Sequence, residues 1–380
     1  MTFEFATATR IIFGRGSVRQ LPQLVHTYGG NALFVTGRDA SRSNSALQSL
    51  HAAGICVSSF SIQGEPTLDE VRRGAEVARE THAQVVIGFG GGSAVDAGKA
   101  IAALATQPQD VLHYIEVIGK GQPLVATPLP YIAVPTTAGT GAEVTRNAVL
   151  SSHEHGVKAS LRHTSMLPLV ALVDAELARE CPPAITAASG MDALTQCLEA
   201  YVSARAQPMT DALCIAGIQH AARSLEKCVV NGNDLDARED MALAAMFSGM
   251  ALANAGLGAV HGFAAPIGGS FHAPHGAVCA ILLAPVWAAN LAAITETKTR
   301  ERFQAAARLL TSNSTASAES AIPWLCDLTT RLCIPGLQSY GISESRLPDI
   351  ATQAALSSSM KGNPVVLPHE TLVAILRRAL

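Results

Sequence analysis

No Cys-x-x-Cys pair and no zinc-finger spacing occurs among the eight cysteines, at 56, 181, 197, 214, 228, 279, 326 and 333. Neither a disulfide framework nor a small zinc module therefore organises the chain, and the thiols are expected to be buried in a protein of a reducing cytosol. Charge is also scarce, at 15% of residues with a net value of -3, so there is no basic field to attract nucleic acid. No uninterrupted apolar run reaches the roughly 20 residues that a membrane span needs. The first residues, Met1-Thr2-Phe3-Glu4-Phe5, carry an acid and no basic segment, which speaks against a secretory signal. Internal repeats and low-complexity tracts are lacking as well. These absences point to a cytoplasmic protein whose partner is a small molecule, with neither nucleic acid nor membrane involved.

What the chain has instead is an Ala-heavy, 48% hydrophobic composition over 380 residues, more than one ordinary core accommodates. The first part alternates short apolar runs with helical spacing. Strands are expected near 11–13, 31–37, 56–60, 84–89, 131–135 and 170–174, and helices near 18–25, 46–53, 67–81 and 94–105, with Thr67 as an N-cap. Strands alternating with helices imply a parallel sheet with helices on both faces. Past Cys181-Pro182-Pro183 the strand signals stop, and 184–205, 208–230, 237–253, 278–293, 299–310 and 317–332 read as helices. The expected organisation is an α/β dinucleotide-binding domain over residues 1–182 and an all-α domain over 183–380.

Two stretches carry chemistry. The strand at 84–89 runs into Gly90-Gly91-Gly92-Ser93 and then a helix. Glycines admit a ligand close to the backbone, and a helix start presents unpaired N–H groups at the positive end of the dipole, an arrangement suited to a pyrophosphate. A second loop, Thr136-Thr137-Ala138-Gly139-Thr140-Gly141, and the residues Asp96 and Lys99 after the glycines support that reading over a mere tight turn. In the second half, Asp192 and Gln196 lie at i and i+4 near a helix start. His261 and His275 lie fourteen positions apart, joined by a Gly/Pro segment, Pro266-Ile267-Gly268-Gly269, expected to fold back on itself. One carboxylate and two imidazoles from separate helices make a plausible open, catalytic divalent-metal site.

Taken in order, Gly90 to Ala100, Val134 to Thr145, Gly190-Met191-Asp192-Ala193-Leu194, Val260-His261-Gly262 and Pro274-His275-Gly276 resemble the iron-containing (group III) alcohol dehydrogenase family over nearly the whole chain. The resemblance implies the dehydroquinate synthase-like architecture and an active site in the cleft between two domains. It also implies interconversion of a primary alcohol and an aldehyde or ketone by hydride transfer with NAD(H) or NADP(H). A divalent metal, Fe²⁺ or alternatively Zn²⁺, polarises the carbonyl oxygen. Asp192, His261 and His275 match three of the family's four ligand positions. The fourth is Gln196 where the family has histidine, a neutral and weaker donor, and Ala265 stands where many members place a histidine near the nicotinamide. His272 is a candidate proton relay.

The resemblance further assigns Gly91, Gly92 and Ser93, with Asp96, to the cofactor, Thr136, Thr137 and Thr140 to the nicotinamide-ribose side, and Lys158 to a cofactor-facing lysine. NAD-preferring members often place Asp where this chain has Gly37. Losing that carboxylate removes repulsion of a 2′-phosphate, and Arg38 or Arg42 would pair with it, which points to NADP(H). Family habit adds a homodimer. Three alternatives stand beside this reading. One is a metal-independent maleylacetate reductase-like enzyme, against which Asp192 argues. Another is a dehydroquinate synthase-type lyase, whose phosphorylated substrate calls for a basic pocket, whereas 190–200 and 258–276 contain no Lys or Arg. The last is a dinucleotide-binding homologue without activity.

Overall fold

The computed structural model of the protein describes residues 2–152, 154–271 and 273–380. The chain divides into two compact units. One comprises Thr7–Thr137 and Ala142–Ala178; the other comprises Arg179–Leu380 together with the residues up to Ala6 and the loop Ala138–Gly141.

In the first unit the strands are β1 (Arg10–Phe13), β2 (Asn31–Thr36), β3 (Cys56–Ser61), β4 (Val85–Gly90), β5 (Tyr131–Pro135), β6 (Asn147–Ser152), β7 (Val157–Arg162) and β8 (Val170–Val173). Six of them form one sheet in the order β1-β8-β5-β4-β2-β3, every pairing parallel. The helices are α1 (Leu21–His26), α2 (Asn44–Ala52), α3 (Leu68–Glu80), α4 (Gly92–Leu104) and the single turn α5 (Val111–Tyr114). Alternation along the strands explains the two covered faces. Leu33 and Val35 of β2 and Val86 of β4 join the core under α3 and α4, whereas Ala32, Phe34, Val85 and Ile87 pack with Leu21, Leu24 and Leu50 of α1 and α2. The start of α3 is a capping box, with Thr67 Oγ1 accepting from the Glu70 amide while the Glu70 carboxylate accepts from the Thr67 amide.

An antiparallel hairpin, β6–β7, is inserted before β8 and was not expected from the sequence. Its strands carry Asn, Ser, Lys and Arg among the apolar residues, which masks the alternation. Asp96 and Lys99 tie it to α4. The Asp96 carboxylate accepts from the Val149 amide at 3.0 Å, and the buried Lys99 ammonium donates to the carbonyls of Ala142 and Asn147 and to Thr145 Oγ1. Glu143 is buried near this pair, and burial pushes its carboxyl up to about 7.

The second unit holds α6 (Pro183–Val202), α7 (Pro208–Val230), α8 (Leu235–Ala255), α9 (Ala259–Phe271), α10 (His275–Ala293), α11 (Thr297–Thr311), α12 (Ala321–Arg331), α13 (Leu347–Leu356) and α14 (His369–Arg378) around one core. Its N-terminal arm is tied in by Asn254, whose amide oxygen accepts from the Ala6 N–H at 2.8 Å while its NH₂ donates to the Ala6 carbonyl at 2.9 Å. The Gly/Pro segment expected to fold back is instead the body of α9, with Pro266 inside the helix. The proline removes one N–H, yet the apolar sequence around it is held by burial of Phe263, Ala264 and Ile267. α10 begins at His275, three residues earlier than its periodicity suggests, and α13 and α14 lie beyond the last expected helix. By length and a mean hydropathy of 1.8, α10 meets the requirement for a membrane span, but 67% of that stretch is buried inside the protein, as befits a core helix. Five cysteines are buried as expected, while Cys56, Cys326 and Cys333 are exposed.

Candidate metal centre and dinucleotide cradle

α6 is the central helix of the second unit, and along one of its sides lie Asp192, Gln196 and Glu199, all buried. The spacing of four and then three residues stacks them on a single face. α10 is brought against this face by Gly276, where an added Cβ would lie 2.0 Å from the Ala188 carbonyl oxygen and 3.3 Å from Asp192 Cβ. The missing side chain lets His275, at the first position of α10, reach Asp192. The second imidazole comes from the first turn of α9.

The result is a cluster in which one donor atom each from Asp192, His261, His275 and Cys279 lies within 4.8 Å of the others. Asp192 Oδ1 is 3.2 Å from His261 Nε2 and 3.7 Å from His275 Nε2, and Cys279 Sγ is 3.7 Å from His261 Nε2. Donors about 2.0 to 2.3 Å from one tetrahedral ion lie roughly 3.3 to 3.6 Å apart, so the residues fit a divalent metal. His261, Asp192 and Cys279 are buried, while the His275 side chain is 39% exposed and marks the open side of the cluster. Behind it, Glu199 Oε2 accepts from His261 Nδ1–H at 2.6 Å and Oε1 accepts from the Val260 amide at 2.7 Å. A carboxylate on Nδ1 fixes the tautomer that leaves Nε2 turned toward the metal position.

Burial alone would push the Asp192 carboxyl up, but His275, His261 and the Gln196 amide together hold it below the usual range. The Cys279 thiol, likewise raised by burial, is brought below its ordinary value by the two imidazoles. Both donors are therefore biased toward the anions that metal binding requires.

The expected ligand Gln196 is placed otherwise. Its oxygen accepts from Ser248 Oγ at 2.7 Å and its NH₂ is turned to Asp192, so the amide braces the carboxylate rather than offering a lone pair. A ligand role would require the amide to turn over, donating to Ser248 Oγ while the serine proton goes to the Ala245 carbonyl, itself 2.8 Å away. Glu199 and Cys279 were not singled out from the sequence, although each had a signal: Glu199 is seven residues after Asp192, and Cys279 is four after His275. His272 lies outside the described residues.

The first unit presents the other chemistry. β2 leads to β3 on one side and β4 lies on the other, so the carboxyl ends of β2 and β4 flank the point where the strand order reverses, the place where open α/β sheets bind ligands. Gly90, at φ +154°, ends β4, and an added Cβ there would strike Ala94 Cβ at 2.7 Å. It would also come within 3.7 Å of the Gly37 amide nitrogen, at the end of β2. Gly91 caps α4 without any side-chain hydrogen bond, and Gly92 and Ser93 are partly exposed at the helix start. Thr137 lies 3.5 Å from the Cβ position of Gly91, and the Thr136 amide donates to the Gly90 carbonyl at 2.8 Å. The glycines and the uncapped helix start fit a dinucleotide phosphate.

Three residues expected at the cofactor have other partners. Asp96 is bonded to the hairpin as above. Lys158 on β7 pairs with Glu65 at 2.6 Å. Thr140 belongs with the second unit, in the loop where Gly139 approaches Ser189 of α6 and Gly141 lies against Gly249 of α8. Past Gly37, the Arg38 guanidinium donates to the Gln63 carbonyl at 2.8 Å, and Asp39 caps the following turn through the Ser41 amide.

A reversing parallel sheet with a glycine cradle, and a buried carboxylate–imidazole pocket that suits a Lewis-acidic ion, are the two components of a metal-dependent NAD(P) oxidoreductase acting on a carbonyl or hydroxyl carbon. Comparison with known proteins makes the class specific. The family model for iron-containing alcohol dehydrogenases matches residues 8–175, and the model for the C-terminal part of the same family matches residues 186–380. The chain belongs to the iron-containing alcohol dehydrogenase family, and it is an alcohol dehydrogenase with a divalent metal and a nicotinamide cofactor. It is 36% identical over 390 residues to 1,3-propanediol dehydrogenase of Klebsiella pneumoniae, covering 99% of this chain and 98% of that protein. It is 37% identical over 318 residues to alcohol dehydrogenase 4 of Saccharomyces cerevisiae, covering 83% of this chain and 81% of that one. The crystal structure of a 1,3-propanediol oxidoreductase superimposes over 100% of both chains with a TM-score of 0.93 at 35% identity. The oxidoreductase reading therefore stands over the lyase and the inactive homologue.

Proposed function

We propose that the protein reduces a short, mostly uncharged aldehyde to its primary alcohol, with Asp192, His261 and His275 holding the metal and NADP(H) preferred over NAD(H). The observation that carries the site assignment is the donor cluster itself, backed by Glu199 on His261. When bound, the metal polarises the substrate oxygen and the reduced nicotinamide supplies hydride. The protein's own part is to present three donors at fixed separations and to keep His261 in one tautomer. Asp192 stays anionic under the hold of His275, His261 and the Gln196 amide, and the exposed edge of His275 marks where substrate enters. The amides at Gly92 and Ser93 take the pyrophosphate, and Thr136 and Thr137 line the cofactor beside Gly91.

Gly37 supports the cofactor preference, since no side chain there repels a 2′-phosphate and Arg38 and Arg42 follow it in sequence. The names of the propanediol-active relatives support a short aliphatic, hydroxyl-bearing substrate. A homodimer in the cytoplasm is in keeping with the family habit and with the cysteine usage. The domain boundary near Pro182-Pro183 fits the gap between the two family models at 175 and 186.

The test is oxidation of NADPH and NADH with short aldehydes by anaerobically purified protein, loaded with Fe²⁺ or Zn²⁺ or treated with chelator. Turnover that chelator abolishes, faster with NADPH, is the expected result. Turnover indifferent to chelator would remove the metal from the reaction and return the maleylacetate reductase-like alternative. Faster turnover with NADH would sink the argument from Gly37.

A further inference from the structure

We infer that Cys279 is the fourth protein ligand of the metal, making the site Asp192–His261–His275–Cys279, and that its thiolate tips the ion preference from iron toward zinc. The inference rests on the reading above that this cluster holds a divalent ion. It begins with position: Cys279 lies one helical turn after His275 on α10, so the two side chains project from the same face of one helix. Its Sγ is 3.7 Å from His261 Nε2, and for a sulfur and a nitrogen at about 2.3 and 2.0 Å from a shared tetrahedral ion the expected separation is roughly 3.5 Å. The same atom lies within 4.8 Å of the Asp192 and His275 donors, so it closes a four-donor cage rather than touching a single neighbour.

The cage also has a place to fill. Gln196, one turn after Asp192 on α6, turns its oxygen to Ser248 and its NH₂ to Asp192. With the amide so engaged, the Cys279 sulfur is the fourth donor atom of the cluster. Thiolate is the softest donor available to a protein, and together with imidazole it selects zinc among the common divalent ions. A carboxylate and a thiolate also neutralise both charges of the ion. The exposed edge of His275 would leave the substrate oxygen access to the ion. A merely space-filling thiol would behave as a small buried hydrophobe, with no electronic contact to any ion.

The experiment uses the full-length protein stripped of metal and reloaded with Co²⁺ or Zn²⁺, in wild type and in C279S, with D192A as the variant lacking a metal site. Wild type is expected to bind one equivalent of Co²⁺, with visible d–d bands and a strong near-ultraviolet thiolate-to-cobalt charge-transfer band. X-ray absorption of the zinc form is expected to show sulfur at about 2.3 Å. C279S is expected to keep the d–d bands and lose the charge-transfer band. Its affinity for Zn²⁺ should fall at least on the order of tenfold, the lower end of what removing an outer partner of a ligand costs. Its zinc-over-iron preference in direct competition should fall with it.

Melting of the metal-free forms shows whether C279S folds as wild type does. Stoichiometric d–d bands without a charge-transfer band in wild type would overturn the thiolate ligand while leaving the metal site intact. A charge-transfer band that survives C279S would assign the sulfur to another cysteine, such as exposed Cys56, Cys326 or Cys333, and overturn it as well. Absence of stoichiometric metal in wild type, with D192A indistinguishable from it, would bring down both readings.

Discussion

Replacing Gly276 by alanine tests whether the close approach of α10 to α6 sets the metal site. The added Cβ would lie 2.0 Å from the Ala188 carbonyl oxygen, against the 3.4 Å or more of an ordinary contact. That oxygen belongs to the backbone of a buried helix, so no side-chain rotation relieves the clash, and α10 must move by about an ångström. Two effects oppose one another. Alanine is the better helix former by up to about 1 kcal/mol, less in a first turn. Overpacking against a rigid neighbour costs about 1–3 kcal/mol, so the net change is a loss of stability. The functional effect is larger, because His275 precedes Gly276 and shifts with it. A misplacement of about 1 Å at a reacting site costs on the order of 100-fold in rate. G276A is expected to lower kcat/KM with the best aldehyde about 100-fold, weaken metal binding against a competing chelator, and melt below wild type. Gly64→Ala is the control, since nothing lies within 4 Å of its Cβ position. Wild-type metal affinity and kcat/KM in G276A would refute the claim that this glycine sets the distance between Asp192 and His275.

Glu199→Gln leaves a single carbonyl oxygen for the two short bonds, from His261 Nδ1–H and the Val260 amide, that two carboxylate oxygens now accept, so one of these donors faces an NH₂. The unpaired donor costs about 1–3 kcal/mol of stability, and metal affinity is expected to fall roughly 10- to 100-fold; unchanged chelator competition would rule out the orienting role. Burial raises the Glu143 carboxyl from 4.5 to about 7, so its contribution to stability is complete below about 4.5 and is lost as pH rises through about 7. That loss amounts to up to about 3 kcal/mol, and E143Q should flatten it in denaturation curves between about pH 5 and pH 8; an equal slope in both proteins would refute the assignment. Gly37 has open space at its Cβ position, so G37D should fold normally and place a carboxylate at the end of β2. Like charges at about 4–5 Å repel by about 3–4 kcal/mol at an effective dielectric of about 20 before screening, so NADPH over NADH discrimination should fall about 10- to 100-fold in kcat/KM; no change would place the 2′-position elsewhere.

The sheet was legible because its inner strands are buried on both faces and read as mostly apolar runs that reach glycine, as at Asn31–Thr36 and Val85–Gly90. The Thr67 cap was legible for a local reason, the Thr-x-x-Glu spacing. α9 was not legible, because glycine and proline at 266–269 suggest a turn, whereas tertiary burial holds them helical. The hairpin escaped because Asp96 and Lys99, which pin it, act from about 50 residues away. At the metal cluster, Asp192, His261 and His275 stood out as residue types with familiar ligand chemistry. Glu199 did not, because its role is defined only by the imidazole it touches across 62 positions of sequence. Cys279 looked like any buried thiol in an apolar helix until α9 brought His261 beside it.

The helical unit takes in three separate lengths of chain, and this bears on the order in which the protein can be made. Ala6 leaves the ribosome long before its partner, since its paired bonds are to Asn254, 248 positions later. Gly141 likewise waits for Gly249. The N-terminal arm and the 138–141 loop therefore spend most of synthesis with their backbone groups satisfied by water, while the parallel sheet has every strand it needs by Val173. Cutting the gene between the two family matches would yield a helical fragment that begins at the right helix but lacks two short pieces encoded far upstream.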